Sequence, residues 1–173
     1  MKRVSEGRLA VARSVDGEEA AMCSSAFLRG RALALLARRE HSRAELHRKL
    51  SELGGTGEAL GTVLDDLVRE RLQSDERFAE SFVRSRVVRG QGPQAIATEL
   101  RARGIDKELL EAALTHGPYD WYAQAAEVRH KRFGPVLPED ARERARQARF
   151  LQYRGFTAAQ VSHALRCKNL EPD

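Results

Sequence analysis

Apolar residues recur every three or four positions along most of this chain, which is the spacing of one face of an α-helix. Phe78, Ala79, Phe82 and Val83 form one such stripe. Alanine, leucine, arginine and glutamate dominate and only two isoleucines are present, so the composition favours helices and offers little material for strands. The pattern predicts an all-α protein.

Capping residues divide the helical pattern into short segments. Ser42 followed by Glu45 has the sequence of a capping box, in which both side chains satisfy orphan backbone N–H groups at a helix start. Gly92 followed by Pro93 predicts another start, because proline is favoured at the first helical position. Further starts are predicted at Ser74, Asp106, Asp120 and Thr157, and helix ends at Gly90, Gly117, Gly134 and Gly155.

The segments also repeat along the chain. Two copies share apolar residues four positions apart and a glycine four positions after the second, and a third copy retains part of this pattern: Leu46, Leu50 and Gly54; Ile96, Leu100 and Gly104; Leu151 and Gly155. The third copy departs from the other two at Gln147, where they carry a leucine or an isoleucine. A fixed period of this length is typical of helical repeat proteins.

We therefore expect three three-helix repeats, at residues 26–72, 73–117 and 118–168. They would lie between a flexible N-terminal tail, residues 1–25, and a C-terminal tail, residues 169–173. A three-helix unit of this size has little core of its own, so such units usually stack and bury each other's apolar faces. The expected product is an elongated tandem array whose concave side is a binding surface.

Charge and hydropathy exclude some classes of protein. The 173 residues include 30 Lys+Arg against 25 Asp+Glu, which gives a net charge of +5. No apolar run approaches the roughly 18 residues needed to span a bilayer, and residues 1–26 lack the continuous apolar core of a signal peptide. We expect a cytoplasmic protein without membrane contact. The excess of arginine indicates an acidic partner such as nucleic acid, although codon bias would produce the same skew.

Catalytic and metal-binding constellations are not apparent in the sequence. The glycine-rich turn at residues 54–57 lacks the spacing of a nucleotide-binding loop. No histidines have the HExxH arrangement, and Cys23 and Cys167 belong to no CxxC or Cys/His pattern. We expect no enzyme activity, no cofactor and no metal ion.

Basic residues cluster in three places, namely the first helices, the second repeat and the third repeat. The candidate contacts with DNA or a partner are Arg84, Arg89, Arg101, Arg103, Arg129, Lys131, Arg132, Arg142, Arg146, Arg149 and Arg154. Stacking faces beside the cations of the third repeat could come from six aromatic neighbours: Trp121, Tyr122, Phe133, Phe150, Tyr153 and Phe156. In the alternative interpretation the aromatic rings are core and the arginines form a solvated helix face.

Arg86 lies on the same side of its helix as the apolar stripe that includes Phe82. An unpaired charge there would be costly, so we expect Arg86 to form a structural ion pair with a carboxylate.

The most specific motif of the chain lies in its central part, and we expect its residues to be mainly structural: Asp75, Arg77, Phe78, Ala79, Phe82, Arg86, Gly92, Ile96, Leu100 and Gly104. With this motif the chain resembles the RecX family of regulatory proteins. The similarity covers residues 28–166, and it departs from the family's pattern at Ser74 and in the glycine turn of residues 54–57.

The resemblance implies a non-catalytic modulator of the RecA recombinase. Such a protein binds the RecA filament on single-stranded DNA, touching the DNA directly or through RecA. It typically inhibits the ATPase, strand-exchange and coprotease activities of RecA, which serve DNA repair, recombination and the SOS response. A monomer is the simplest expectation.

The charge distribution gives a hypothesis for the faces of such a modulator. The acidic stretch around Asp65, Asp66 and Glu70 would meet a basic protein surface, and the arginine-rich third repeat would face DNA or an acidic protein. Two alternatives stay open. One is a stand-alone helical DNA-binding module, and the other is an adaptor that recognises another helical protein.

Overall fold

The computed structural model of the protein describes residues 24–166. Within that range the chain forms nine α-helices and no β-strand, which confirms the predicted all-α fold. In chain order the helices are α1 (Ser25–Leu36), α2 (Arg43–Ser51), α3 (Gly57–Arg69), α4 (Asp75–Val88), α5 (Pro93–Arg101), α6 (Lys107–Thr115), α7 (Trp121–Phe133), α8 (Ala141–Tyr153) and α9 (Ala158–Ala164).

The predicted tails lie mostly outside the described residues. Of residues 1–25, only Ser24 and Ser25 are described, and both belong to the start of α1 rather than to a tail. The hydroxyl of Ser24 accepts the N–H of Phe27 at 3.2 Å and so caps this helix. Residues 169–173 and both cysteines are outside the described range.

Local caps begin most of the helices. The hydroxyl of Ser42 accepts the N–H of Glu45 at 3.0 Å, and at Thr157 both halves of a capping box are present. These two starts are confirmed, and so are those at Gly92, Asp106 and Asp120. Asp140, which was not predicted as a helix start, caps α8 by accepting the N–H of the third residue of that helix.

The three repeats end their middle helix in the same backbone turn. Gly54, Gly104 and Gly155 have positive φ angles of 90°, 76° and 87°. The residue after each glycine donates its N–H to a carbonyl five residues earlier: Gly55 to Leu50 at 3.0 Å, Ile105 to Leu100 at 3.2 Å, and Phe156 to Leu151 at 3.1 Å. Glycine is favoured here because other residues are strained at positive φ. The repeat therefore extends to the backbone conformation.

Each set of three helices surrounds its own apolar cluster. Leu46 and Leu50 belong to the first, Ile96 and Leu100 to the second, and Leu151 to the third. At the position where the third repeat departs from the sequence pattern, the glutamine at 147 is only 3 % exposed. Its amide nitrogen donates to the carboxylate of the glutamate at 143, at 2.9 Å. The third repeat thus keeps the helical register and fills this core position with an amide.

Backbone packing divides the chain into two compact bodies, with the boundary between Asp75 and Glu76. The N-terminal body contains α1 to α3 and the first residue of α4. The C-terminal body contains the rest of α4 and helices α5 to α9. The carboxylate of Asp75 accepts the N–H of Arg43 and the amide of Gln73, both at 2.7 Å. Asp75 therefore closes the N-terminal body, which is a structural role.

A buried polar cluster near the start of α2 carries charge into the N-terminal body. The carboxylate of Glu45 accepts hydrogen bonds from Arg39 at 3.0 Å and from Nδ1 of His41 at 3.1 Å. Burial raises the pKa of Glu45, but the hydrogen bond and charge of Arg39, together with His41, lower it overall. Burial, assisted by the charge of Arg39, lowers the pKa of His41.

We expect this cluster to make the N-terminal body less stable in acid. Between pH 6.5 and the lowered pKa of His41, the unfolded chain binds a proton that the folded histidine does not, so the free energy of unfolding falls as the pH falls. Glu45 acts in the same direction below its ordinary pKa of 4.5. Urea unfolding followed by circular dichroism at about pH 7, 5 and 3 checks this. Glu45→Gln should remove the loss of stability below about pH 4.5. An unchanged pH dependence in that variant would show that Glu45 does not cause this loss.

Candidate nucleic-acid interface

The second and third repeats meet through their backbones. The N–H of Gly92 donates to the carbonyl of Arg154 at 2.7 Å, and the N–H of Gln94 donates to the carbonyl of Gly155 at 2.9 Å. The start of α5 thus satisfies carbonyl groups at the end of α8. A Cβ on Gly92 would lie 2.5 Å from the carbonyl oxygen of Gly155, and a Cβ on Gly155 would lie 2.4 Å from Cβ of Ala95. Only glycine allows this approach.

A groove of about 480 Å³ runs between the end of α4 and helices α7 and α8. Four cations line it, namely Arg89, Lys131, Arg132 and Arg154, and the one carboxylate among its lining residues is that of Glu127. Glu127 forms an ion pair with Lys131. The groove is therefore strongly positive, and we call it the basic groove.

Arg154 connects the groove to the junction of the two repeats. Its Nη1 donates to the carbonyl of Arg89 at 2.9 Å, which holds the side chain across the space between α8 and the end of α4. The side chains of Arg89 and Arg132 form no hydrogen bond or ion pair with other residues of the described range, and both are exposed. They are free to meet an anion.

Two aromatic rings lie beside these cations. Phe150 lines the groove and contacts Phe133 edge-on, with ring centres 5.2 Å apart. The guanidinium of Arg154 lies 5.2 Å from the centre of Phe150, and those of Arg132 and Arg146 lie 5.8 Å and 5.2 Å from the centre of Phe133. Both rings are half-buried, so they belong partly to the core and partly to this cationic surface. The fold thereby brings Arg146 to the same surface.

The outer face of α8 carries further candidate cations. Arg146 forms an ion pair with Glu143 at 2.8 Å, and this hydrogen bond raises the pKa of Arg146 and lowers that of Glu143. Arg142 and Arg149 are exposed and have no hydrogen-bond or ion-pair partner within residues 24–166. They remain candidates for partner contact.

Three candidate cations of the second repeat do not line the basic groove, namely Arg84, Arg101 and Arg103. Arg84 lines a different pocket, between α4 and α6. Arg101 is exposed at the end of α5. Arg103 donates to the carbonyl of Glu99 at 2.8 Å and lies over the ring of Phe82 at 4.6 Å. Arg103 is therefore engaged in the packing of its own repeat.

Arg86 forms the predicted structural ion pair. Its Nη2 lies 2.8 Å from the carboxylate of Glu99, and its guanidinium lies 4.4 Å from the centre of the Phe82 ring. Burial raises the pKa of Glu99, but hydrogen bonds from Arg86 and Gln91 and the charge of Arg103 lower it overall. Arg86 is a packing residue of the second repeat.

Arg129 was predicted to belong to the interface, and this prediction is wrong. It was expected at the surface, but it is 0 % exposed, because α7 turns it to the buried side with Ala125 and Ala126. Its Nη1 donates to the carbonyl of Val136 at 3.0 Å, while Nε and Nη2 have no partner. Burial lowers its pKa. The sequence contained a signal for this burial. Arg129 lies four and three positions after Ala125 and Ala126, so all three share one helix face.

We expect Arg129→Met to leave the free energy of unfolding unchanged within about 1 kcal/mol or to raise it, because methionine fills similar space without a buried charge. Arg129→Ala should lower it by about 2–4 kcal/mol through the cavity that it leaves. Urea unfolding followed by the fluorescence of Trp121, the single tryptophan, measures both. Equal destabilisation by the two variants would show that the guanidinium itself is needed.

The acidic stretch of α3 also differs from the expectation. It was expected to offer free negative charge to a basic protein surface. Each of its three carboxylates is paired with an arginine: Asp65 with Arg43 at 2.8 Å, Asp66 with Arg69 at 2.6 Å, and Glu70 with Arg29 at 2.6 Å. These pairs cancel most of its charge, so the stretch is not a free acidic face.

Two further features bear on the class of protein. Within the part of the chain that the structure describes, no three His, Cys, Asp or Glu side chains group as metal ligands. Among residues 24–166, no helix combines the length and apolar character that crossing a bilayer would require.

Three family models match the chain. They describe the first, second and third three-helix domains of RecX, and they match residues 29–67, 74–114 and 119–165. Together they cover each of the three sets of helices.

Similar proteins agree with these matches. The regulatory protein RecX of Halorhodospira halophila is 52 % identical over 141 residues, covering 82 % of this chain and 88 % of that protein. The regulatory protein RecX of Pseudomonas fluorescens (strain SBW25) is 43 % identical over 83 % of this chain and 93 % of its own length.

Solved structures share the fold. The crystal structure of RecX from Lactobacillus salivarius has a TM-score of 0.70 at 21 % identity and covers 82 % of this chain and 94 % of that chain. A second crystal structure of a regulatory protein RecX has a TM-score of 0.68 at 23 % identity and covers 94 % of this chain and 79 % of that chain. The family models and the two relatives show that this chain belongs to the RecX family of regulatory proteins.

Proposed function

We propose that this protein is a non-catalytic regulator that binds the RecA filament on single-stranded DNA and inhibits its ATPase, strand-exchange and coprotease activities. Membership of the RecX family supports a regulator in the context of RecA. The observation that supports contact with the filament is the basic groove. The same proposal places the protein in the cytoplasm as a monomer that acts in DNA repair, recombination and the SOS response.

The groove suits a phosphate backbone for three physical reasons. Arginine makes planar, bidentate contacts with phosphate oxygens. The lining carboxylate, Glu127, is already paired, so it repels an incoming anion little. The half-buried ring of Phe150 offers an apolar edge between the cations, as single-strand binding sites commonly do.

In this proposal the protein lies against the filament and obstructs it in one of two ways. It either blocks the addition of RecA protomers or restrains the motions that accompany ATP hydrolysis. Arg142 and Arg149 would extend the contact beyond the groove, since they are exposed and unpaired within residues 24–166.

The test is the single-strand-dependent ATPase rate of the cognate RecA while this protein is titrated. Inhibition far below equal stoichiometry supports a block of filament growth, and inhibition only near saturation supports binding along the filament. An unchanged rate, with the protein folded by circular dichroism, would refute the proposal.

A stand-alone DNA-binding module would use the same groove without RecA. It would bind single-stranded DNA tightly in the absence of RecA, and the logarithm of its binding constant would fall steeply with the logarithm of the salt concentration. Tight RecA-free binding together with no effect on RecA would favour this alternative.

A further inference from the structure

A second pocket, of about 370 Å³, lies within the second repeat and shares no lining residue with the basic groove. Helices α4 and α6 form its walls, and the segment that leads to α7 closes one end. Its apolar lining includes Val83, Leu109, Ala113 and Tyr119, which belong to the core of this repeat or pack against it. The pocket therefore opens onto the edge of the core.

Charged side chains follow one wall of this pocket in a regular order. Glu76, Glu80 and Arg84 are spaced four residues apart on α4, which places successive side chains about 6 Å apart along one helix face. Glu76 and Glu80 form no ion pair or hydrogen bond with other described residues, and Arg84 does not pair with Glu80 either. The wall thus presents two free carboxylates at one end and a guanidinium at the other.

The fold itself does not account for both carboxylates. Glu76 stands in the first turn of α4, where the helix dipole favours negative charge. Glu80 lies beyond that turn, and two like charges four residues apart weaken a helix slightly. The pocket thus keeps free negative charge beside open apolar surface. This combination is complementary to a segment that is both basic and apolar.

We propose that the pocket binds a segment of a partner protein in which a leucine or an aromatic side chain lies next to a lysine or arginine. The apolar side chain packs against the half-buried Leu109, Ala113 and Tyr119, and the cation meets Glu76 and Glu80. The volume lies near the lower end of the range for ligand pockets, about 300–1,000 Å³, and so fits a few side chains. A nucleic acid is disfavoured because the two carboxylates repel phosphate. This inference does not depend on the proposed function, since it concerns a different surface.

The test uses the full ¹⁵N-labelled chain and two short peptides, Ac-Lys-Leu-Lys-Phe-NH₂ and its counterpart with glutamate in place of lysine. The lysine peptide is expected to shift amide signals of α4 and α6 saturably, and the glutamate peptide is expected to leave them unshifted. Glu76→Gln with Glu80→Gln should weaken the binding about fivefold, as expected for the loss of two exposed ion pairs.

The matched control is Glu108→Gln with Glu139→Gln, two exposed carboxylates of the same body that lie outside the pocket. It should bind the lysine peptide as the wild type does. The proposal is overturned by any of three results: no saturable shift on α4 and α6, equal shifts with the glutamate peptide, or equal weakening by the control. It is also overturned if the pocket signals shift with protein concentration alone, because a second copy of the chain would then be the occupant.

Discussion

Replacing Gly155 with alanine is expected to lower the free energy of unfolding of the C-terminal body by about 2–5 kcal/mol. Two costs add. The φ of 87° disfavours any residue with a Cβ, by about 1–2 kcal/mol. The new carbon would also lie 2.4 Å from Cβ and 2.5 Å from the backbone nitrogen of Ala95, and overpacking of this kind costs about 1–3 kcal/mol.

The measurement is urea unfolding followed by Trp121 fluorescence, which reports on the C-terminal body alone because the chain has one tryptophan. Gly90→Ala is the matched control. Gly90 also has a positive φ, of 72°, and the N–H of the residue after it donates to the carbonyl five residues earlier, as at Gly155. A Cβ there would come no closer than 3.2 Å to its nearest neighbour, a methyl group of Val128, so the variant should cost mainly the backbone strain, about 1–2 kcal/mol. Equal losses in the two variants would show that the contact between Gly155 and Ala95 is not tight.

Gly92→Ala tests the cost of overpacking without the cost of backbone strain. Its φ of −89° is open to alanine, so the backbone conformation adds no strain. A Cβ there would lie 2.5 Å from the carbonyl carbon of Gly155. The variant should therefore lose stability through the crowded junction alone, by about 1–3 kcal/mol.

Reversing two charges in the basic groove, Arg89→Glu with Arg132→Glu, should weaken binding to the RecA filament on single-stranded DNA about tenfold or more. Both side chains are exposed and form no hydrogen bond or ion pair with other described residues, so the change removes no internal contact except that of Arg132 with the Phe133 ring. If the two arginines touch phosphates of the single strand, the salt dependence of binding should also decrease, by about 1.4 in the logarithmic slope.

Fluorescence anisotropy of a labelled single strand coated with RecA, at several salt concentrations, measures this effect, and the ATPase assay measures its consequence. The control is Arg31→Glu with Arg38→Glu, which changes the net charge equally at two exposed positions of the N-terminal body. A loss confined to the groove variant supports the assignment. Equal losses would show only a dependence on net charge, and full binding by the groove variant would remove the groove from the interface.

Helix boundaries and the repeat could be predicted from the sequence because they depend on neighbouring residues. The caps at Ser42 and Thr157 are formed within three residues of the chain. The glycine at 155 takes its positive φ from a turn of six residues, as the glycines at 54 and 104 do. Interactions of such short range leave a direct trace in residue type and spacing.

The candidate site was predicted less completely, because its parts come from distant positions. The sequence marked Arg132, Arg146 and Arg154 as basic, but only the packing of α7 against α8 places all three around Phe133 and Phe150. The pocket of the second repeat was not predicted at all, since α4 and α6 lie about 30 residues apart in the chain.

The sequence by itself determined the all-α class, the three-helix repeat and the excess of positive charge, because these follow from residue type, spacing and number. The tertiary structure alone decided which charges are available. It buried Arg129 beneath the carbonyl of Val136, although the sequence predicted a surface cation, and it left Arg89 and Arg132 exposed in a groove between two repeats. The physical reason is that burial depends on which helix faces another, and a single helix can leave that choice open.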